Sequence, residues 1–218
     1  MDLWKGVLVD TLVTENHLEL FSESITELNT EFHDGVVAHI SGESSGVLGK
    51  TYVPPQLSTF DKLTRPVGEK VLYPIQLFEA ELIISSTGVK TWETGPRISF
   101  CDEKYMFAHP AVSPDGKTLY FTSDMPGGYG GMDLWSSEKI SGEWSNPKNL
   151  GPTINTSLDD AFATLRHSDT LFFSSNGHKG LGGLDIVFAT RNNDSKDWLN
   201  VVDDLPYPIN SSVDDFGV

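Results

Sequence analysis

The side chains best placed to do chemistry are aspartates that recur at fixed spacing. Asp133 and Asp185 each close a glycine-rich run and open an apolar one. Asp159-Asp160 and Asp214-Asp215 each follow an Ile-Asn-Thr/Ser triplet, Ile154-Asn155-Thr156 and Ile209-Asn210-Ser211. Asp34 follows a third version, Leu28-Asn29-Thr30. Grouped carboxylates can hold a hard cation such as calcium, attract a basic partner, or accept backbone N–H groups in turns. A single site would break a repeat, so recurrence favours the turn role, with the cation and the basic partner left as alternatives.

Other patterns point to chemistry less well. The glycine runs Gly127–Gly131 and Gly180–Gly183 suggest phosphate cradles, but each precedes a strand-like segment and lacks a following Lys-Ser/Thr. They read as tight turns. Gly42-Glu43-Ser44-Ser45-Gly46 fits G-x-S-x-G, yet a nucleophile elbow needs a strand, a sharp turn and a helix. No helix flanks Ser44, so a hydrolase role is set aside. None of the histidines His17, His33, His39, His109, His167 and His178 pairs with another at metal-ligand spacing. His33 and His109 are expected just ahead of matching strands. Trp135, Trp144 and Trp198 could stack on sugars, but Trp144 and Trp198 recur at matching positions, which favours packing between repeats.

Composition narrows the classes further. The chain has 218 residues, with 31 acidic against 15 basic and a net charge of −16. Such a surface repels phosphate backbones and anionic lipid, which argues against nucleic acid and membrane docking. One cysteine, Cys101, excludes an internal disulfide and any CxxC motif. No run nears the ~18 apolar residues of a membrane-spanning helix. Met1–Lys5 lacks the basic start and apolar stretch of a signal peptide; an exported protein would carry its address elsewhere.

The elements that must position the aspartates come from an internal repeat. Leu119-Tyr120-Phe121-Thr122-Ser123 returns as Leu171-Phe172-Phe173-Ser174-Ser175, and Gly130–Leu134 returns as Gly182–Ile186, both 52 residues on. Trp144 returns as Trp198 after 54 residues, and the Ile-Asn motif after 55. The drift places small insertions between Asp185 and Trp198, where a loop tolerates them. Met1-Asp2-Leu3-Trp4 repeats Met132–Trp135, so the first residues read as the middle of a repeat. Residues 36–98 form a diverged copy. Gln76–Ala80 stands for the third strand, Trp92 for Trp144, and residues 54–72 make a long loop.

Within one unit, Ala111–Ser113 is a short strand and Pro114-Asp115-Gly116-Lys117 a turn. Thr118–Ser123 is β-branched and aromatic, Met132–Lys139 is a third strand, and Glu143–Lys148 a fourth, joined through Ser141-Gly142. Four antiparallel strands in about 50 residues is the size of a propeller blade. The fold class is therefore all-β, a β-propeller of four-stranded blades. Residues 1–34 form a partial blade, 35–106 the diverged blade, 107–160 and 161–215 full blades, and 216–218 the start of another. About four blades are present, expected to belong to a larger ring.

Ser113–Lys117, Leu119–Phe121 and Asp133–Trp135 resemble the TolB-like, WD-type propeller repeat. The fuller pattern adds Gly130–Trp135, Gly142–Pro147, Asn149–Pro152 and Ile154–Thr156. It resembles the propellers of OmpA-family, peptidoglycan-associated envelope proteins of Gram-negative bacteria. Arg166-His167-Ser168-Asp169 departs from it where Ser-Pro-Asp-Gly is expected. The family's peptidoglycan-binding domain and lipid-bearing cysteine do not fall within these residues, so anchoring is implied for a longer parent alone. The resemblance implies a periplasmic or outer-membrane-associated location and a protein partner in the cell envelope.

The expected function is thus a non-catalytic interaction scaffold. It would present one face rimmed by Asp34, Asp133, Asp159, Asp160, Asp185, Asp214 and Asp215. No catalytic residue and no cofactor is expected, calcium being the one candidate ion. A glycan- or peptidoglycan-binding propeller, signalled by exposed loop aromatics such as Tyr129, is the first alternative. A propeller glycosidase, or the accessory propeller of a peptidase, is the second.

Overall fold

The computed structural model describes residues 34–39, 44–52, 74–191 and 197–217. Among them the chain forms strands and turns and no helix. Strands β1 (Asp34–His39), β2 (Ser45–Thr51), β3 (Ile75–Ile84) and β4 (Lys90–Arg97) make one sheet in that order. A second contains β5 (Phe107–Val112), β6 (Thr118–Ser123), β7 (Asp133–Ile140), β8 (Glu143–Trp144) and β9 (Lys148–Asn149). The third is β10 (Asp160–Arg166), β11 (Thr170–Ser175), β12 (Asp185–Arg191) and β13 (Trp198–Val202). Each is an antiparallel meander. The first strands lie side by side, β1 against β5 and β5 against β10. Meanders whose first strands line up about one axis are propeller blades. The expectations that fall on residues 1–33, 40–43, 53–73, 192–196 and 218 lie outside the described residues.

Alternation along each strand sends successive side chains to opposite neighbours. From the second blade, Leu119, Phe121, Trp135 and Trp144 join Val47 and Leu77 of the first in one core. Tyr120, Leu134 and Ile154 point the other way and pack with Leu171, Phe173, Val187, Ala189 and Trp198 of the third. The tryptophans are therefore core residues. Trp144 lies under Lys139 at 5.1 Å and Trp198 under Arg191 at 5.0 Å, each cation set over a ring face.

The turn Ser113–Lys117 forms as its residues dictate. Ser113 Oγ donates to Asp115 Oδ1 at 2.6 Å, Lys117 N donates to the same oxygen at 3.1 Å, and Gly116 takes φ 70°. The Ser113 hydroxyl, before any other cause, holds the Asp115 carboxyl below its usual range. In the third blade His167 takes the left-handed position, φ 60°, and Arg191 Nε donates to Ser168 O at 2.6 Å. This turn is thus held from the end of β12 by a donor, whereas Asp115 holds the second blade's turn from within as an acceptor.

Two expectations need correction. The outer strand Glu143–Lys148 is broken into β8 and β9, both on β7. Pro147 has no N–H to give the ladder, and the Ser145 hydroxyl takes the Glu138 N–H instead, at 3.0 Å. The first strand also begins four residues earlier than expected, so His109 lies inside β5 and not ahead of it. The β5–β6 register jumps between Ala108 and Ala111, and the β10–β11 register between Ala161 and Thr164. These bulges hold His109 at φ 49° and Phe162 at φ 55°, a conformation costly for bulky residues. The bulge in β5 also accommodates Pro110, which could not pair.

Candidate functional site

The loop between the second and third strands of each blade meets the connection to the next blade. In the second blade Gly131 N donates to Leu158 O at 3.0 Å, Met132 N to Asp159 Oδ1 at 2.9 Å, and Asp160 N to Met132 O at 2.7 Å. In the third, Gly183 N donates to Val213 O at 3.3 Å, Leu184 N to Asp214 Oδ1 at 2.9 Å, and Asp215 N to Leu184 O at 2.6 Å. Both aspartate groups therefore stand at one end of the blades.

Their side chains are turned to different uses. Asp133 is buried and accepts from Tyr129 N at 2.5 Å, Gly130 N at 3.2 Å and Asn149 Nδ2 at 3.3 Å. Asp185, also buried, accepts from Leu181 N and Gly182 N at 3.0 Å. Each carboxylate gathers the amides of its own loop, a charge-assisted arrangement. The glycines are required by that approach: a Cβ on Gly128 would lie 1.7 Å from Asp133 Oδ2, and one on Gly180 1.9 Å from Asp185 Oδ2.

Asp159 and Asp214 staple one loop to the next connection and keep part of each side chain in solvent. Asp160 and Asp215 turn back on their own connections. Asp160 accepts from Thr156 N at 2.5 Å and Thr156 Oγ1 at 3.0 Å. Asp215 accepts from Ser211 N at 2.5 Å and Ser211 Oγ at 3.2 Å. Burial raises the Asp160 pKa, opposed first by the Ser175 hydroxyl and then by Thr156. Ser175 sits close enough to favour the charge, yet Asp160 Oδ1 accepts no hydrogen bond of good geometry. Asp34 opens β1. No group of three or more metal-ligating side chains occurs among the described residues.

Asn155 and Asn210, recognised in the sequence as repeat markers, have a role that spacing did not reveal. Asn155 Oδ1 accepts from Leu134 N at 2.8 Å, and Asn155 Nδ2 donates to Leu134 O at 2.9 Å. Asn210 makes the same pair with Ile186, at 2.7 and 3.0 Å. An amide side chain thus stands in for the backbone of a neighbouring strand. It closes the edge of β7 or β12 where the outer strand has not yet begun. His178 adds a tie between blades, its Nε2 lying 2.8 Å from Ile154 O.

Of the loop tips, sequence reasoning singled out Tyr129, which is indeed exposed, and missed Leu158, Leu181 and Val213. Tyr129 and Leu181 occupy matching loop positions, and Leu158 and Val213 matching connection positions. These four apolar side chains are 50–65% exposed. The Tyr129 and Leu181 amides are the ones held by Asp133 and Asp185. The end of the blades is therefore a row of rigid apolar tips among acids. By contrast Ser44 is an exposed residue just ahead of β2, and no helix occurs among the described residues.

No family model and no curated protein matches the chain. Solved structures do. A protein assigned as TolB from Agrobacterium tumefaciens is 15% identical with a TM-score of 0.46, over 80% of this chain and 50% of its own. Prolyl oligopeptidase B from Galerina marginata, bound to a 35mer hydrolysis and macrocyclization substrate, is 10% identical with a TM-score of 0.43, over 79% and 21%. A protein of unknown function from Dyadobacter fermentans is 14% identical with a TM-score of 0.43, over 77% and 40%. The chain spans half or less of each.

Proposed function

We propose that this protein is a non-catalytic interaction scaffold, the propeller module of an OmpA-family-like protein in the bacterial cell envelope. Its partner is a protein that docks on the loop end of the blades. The observation that carries this reading is the exposed row Tyr129, Leu158, Leu181 and Val213, in which buried Asp133 and Asp185 hold the Tyr129 and Leu181 amides and the Thr156 and Ser211 hydroxyls hold those of Leu158 and Val213. Apolar anchors set in advance cost little ordering entropy on binding and suit a protein interface. The flanking Asp159 and Asp214 would favour a partner with basic residues around an apolar patch.

The test is affinity capture from envelope extracts with the wild-type chain and with a variant carrying Tyr129→Ser, Leu158→Ser, Leu181→Ser and Val213→Ser. The expected result is a partner held by the wild type and released by the variant, with both chains melting alike. Equal capture by the two chains would reject the loop end as the interface. Retention on purified peptidoglycan, lost with Tyr129→Ser alone, would replace the protein partner with a glycan.

A further inference from the structure

The two interfaces between blades follow one plan with one member changed. Leu77, Phe121 and Trp144 stand in the first interface where Leu134, Phe173 and Trp198 stand in the second. Val47 pairs with Glu79, two residues beyond Leu77, and Tyr120 pairs with Ser136, two residues beyond Leu134. Val47 therefore holds the position of Tyr120. In the second interface the Tyr120 ring is buried and meets Trp198 edge-on at 6.2 Å. Burial raises the Tyr120 pKa, and Arg191 is first among the groups that oppose it, so the guanidinium stands near the hydroxyl.

In the first interface the short side chain of Val47 does not fill the place of that ring. A cavity of about 130 Å³ lies there, with Val47, Val112 and Trp144 as its apolar wall and Ser45, Asp115 and Lys139 as its polar one. Lys139 sits 5.1 Å over the Trp144 ring, as Arg191 sits 5.0 Å over Trp198. Trp144 is 8% exposed, and its buried Nε1 has no hydrogen-bond partner. The cavity lies at the turn end of the blades, away from the aspartate loops.

We infer that this cavity is a binding site for a small phenol, seated as the Tyr120 side chain is seated one interface further on. The size agrees, since a cavity of ~150 Å³ admits a benzene ring. The wall agrees, since an indole ring takes an aromatic edge well. Charge selects the polar group. An acid would face Asp115, and an amine would face Lys139. A neutral hydroxyl can donate to the carboxylate and accept from the ammonium. Its oxygen, set beside the Trp144 ring, would also suit a donor that the protein leaves unmet. The site is independent of the loop end and of any protein partner there.

The probe is p-cresol, the tyrosine side chain as a free molecule, with toluene as its match without the hydroxyl. Binding is read in NMR titrations from the Val47 methyl and Trp144 indole resonances, the latter assigned with Trp144→Phe. p-Cresol should shift both and bind about tenfold tighter than toluene, the worth of a hydrogen bond to a charged group. Lys139→Met should remove most of that difference while hardly moving the melting temperature. Val47→Tyr should fill the cavity from within, melt several degrees higher and no longer respond to p-cresol. The inference is overturned by resonances that stay unshifted across the soluble range of p-cresol, by toluene binding as tightly, or by p-cresol binding that survives Val47→Tyr. Should Val47→Tyr fail to fold, the wild-type and Lys139→Met titrations still decide. The peptide Gly-Tyr-Gly separates the sources of the phenol. Shifts with the peptide as well support a tyrosine presented by another chain, and shifts with p-cresol alone support a free small molecule.

Discussion

Asn155→Ala is the sharpest test of how the blades are closed. Asn155 is buried and holds both backbone groups of Leu134, which is itself fully buried. Alanine leaves that N–H without a partner, at ~1–3 kcal/mol, while Leu134 O keeps its bond from Leu150 N at 3.1 Å. The loss is about 2 kcal/mol. At ~2–4 °C per kcal/mol for a chain of this size, the melting temperature should fall by ~4–8 °C. Asn155→Asp separates hydrogen bonding from packing. Its oxygen can still accept from Leu134 N, but a carboxylate faces Leu134 O with no proton to give. Burial and that carbonyl both raise the carboxyl pKa in the folded state. A group with a raised folded pKa lends stability below its unfolded pKa and loses it as pH rises through the folded one. Asn155→Asp should therefore be well below wild type at pH 7 and approach it near pH 4, as thermal melts across pH would show. A deficit of Asn155→Asp that stays constant from pH 7 to pH 4, or an alanine variant within ~2 °C of wild type, would refute the surrogate-strand reasoning.

Three further outcomes are expected. Asp160 has a raised pKa from burial, so its ionisation costs stability as pH rises through that value; Asp160→Asn should gain on wild type toward neutral pH in urea titrations. Burial pushes the Cys101 thiol up to about 12, so the native protein should react with a thiol reagent far more slowly than the unfolded chain, and equal rates would place the thiol in solvent. Gly130→Ala and Gly182→Ala set a Cβ 1.9 Å from Leu158 O and 2.3 Å from Val213 O. Each should loosen one loop from its connection, which amide exchange at Gly131 or Gly183 would detect.

The sequence carried much of this fold because a repeat writes each feature twice. The strands around Leu119–Ser123 and Leu171–Ser175, the Ser141-Gly142 turn and the Asp–Asn spacing were all legible from alternation and turn residues. What escaped depends on contacts remote in sequence. Nothing local tells His109 or Phe162 to take a positive φ; stacking across blades and the bulge impose it. The split of the outer strand needed, besides Pro147, the Ser145 side chain competing for the Glu138 N–H. The aspartates were visible by type and spacing, but their direction was not. Asp133 and Asp185 look inward because Gly128 and Gly180 leave room for the carboxylates, and those glycines read in sequence only as turn formers.

The inward carboxylates also divide the protein's charge into two kinds. Asp133, Asp160 and Asp185 are shut away from mobile ions, whereas Asp159 and Asp214 keep part of their charge in solvent. Added salt screens the second kind within a Debye length of ~8–10 Å and hardly reaches the first. Ionic strength could then release a charged partner while every loop kept its shape, so salt elution and unfolding would be separable operations on the same molecule.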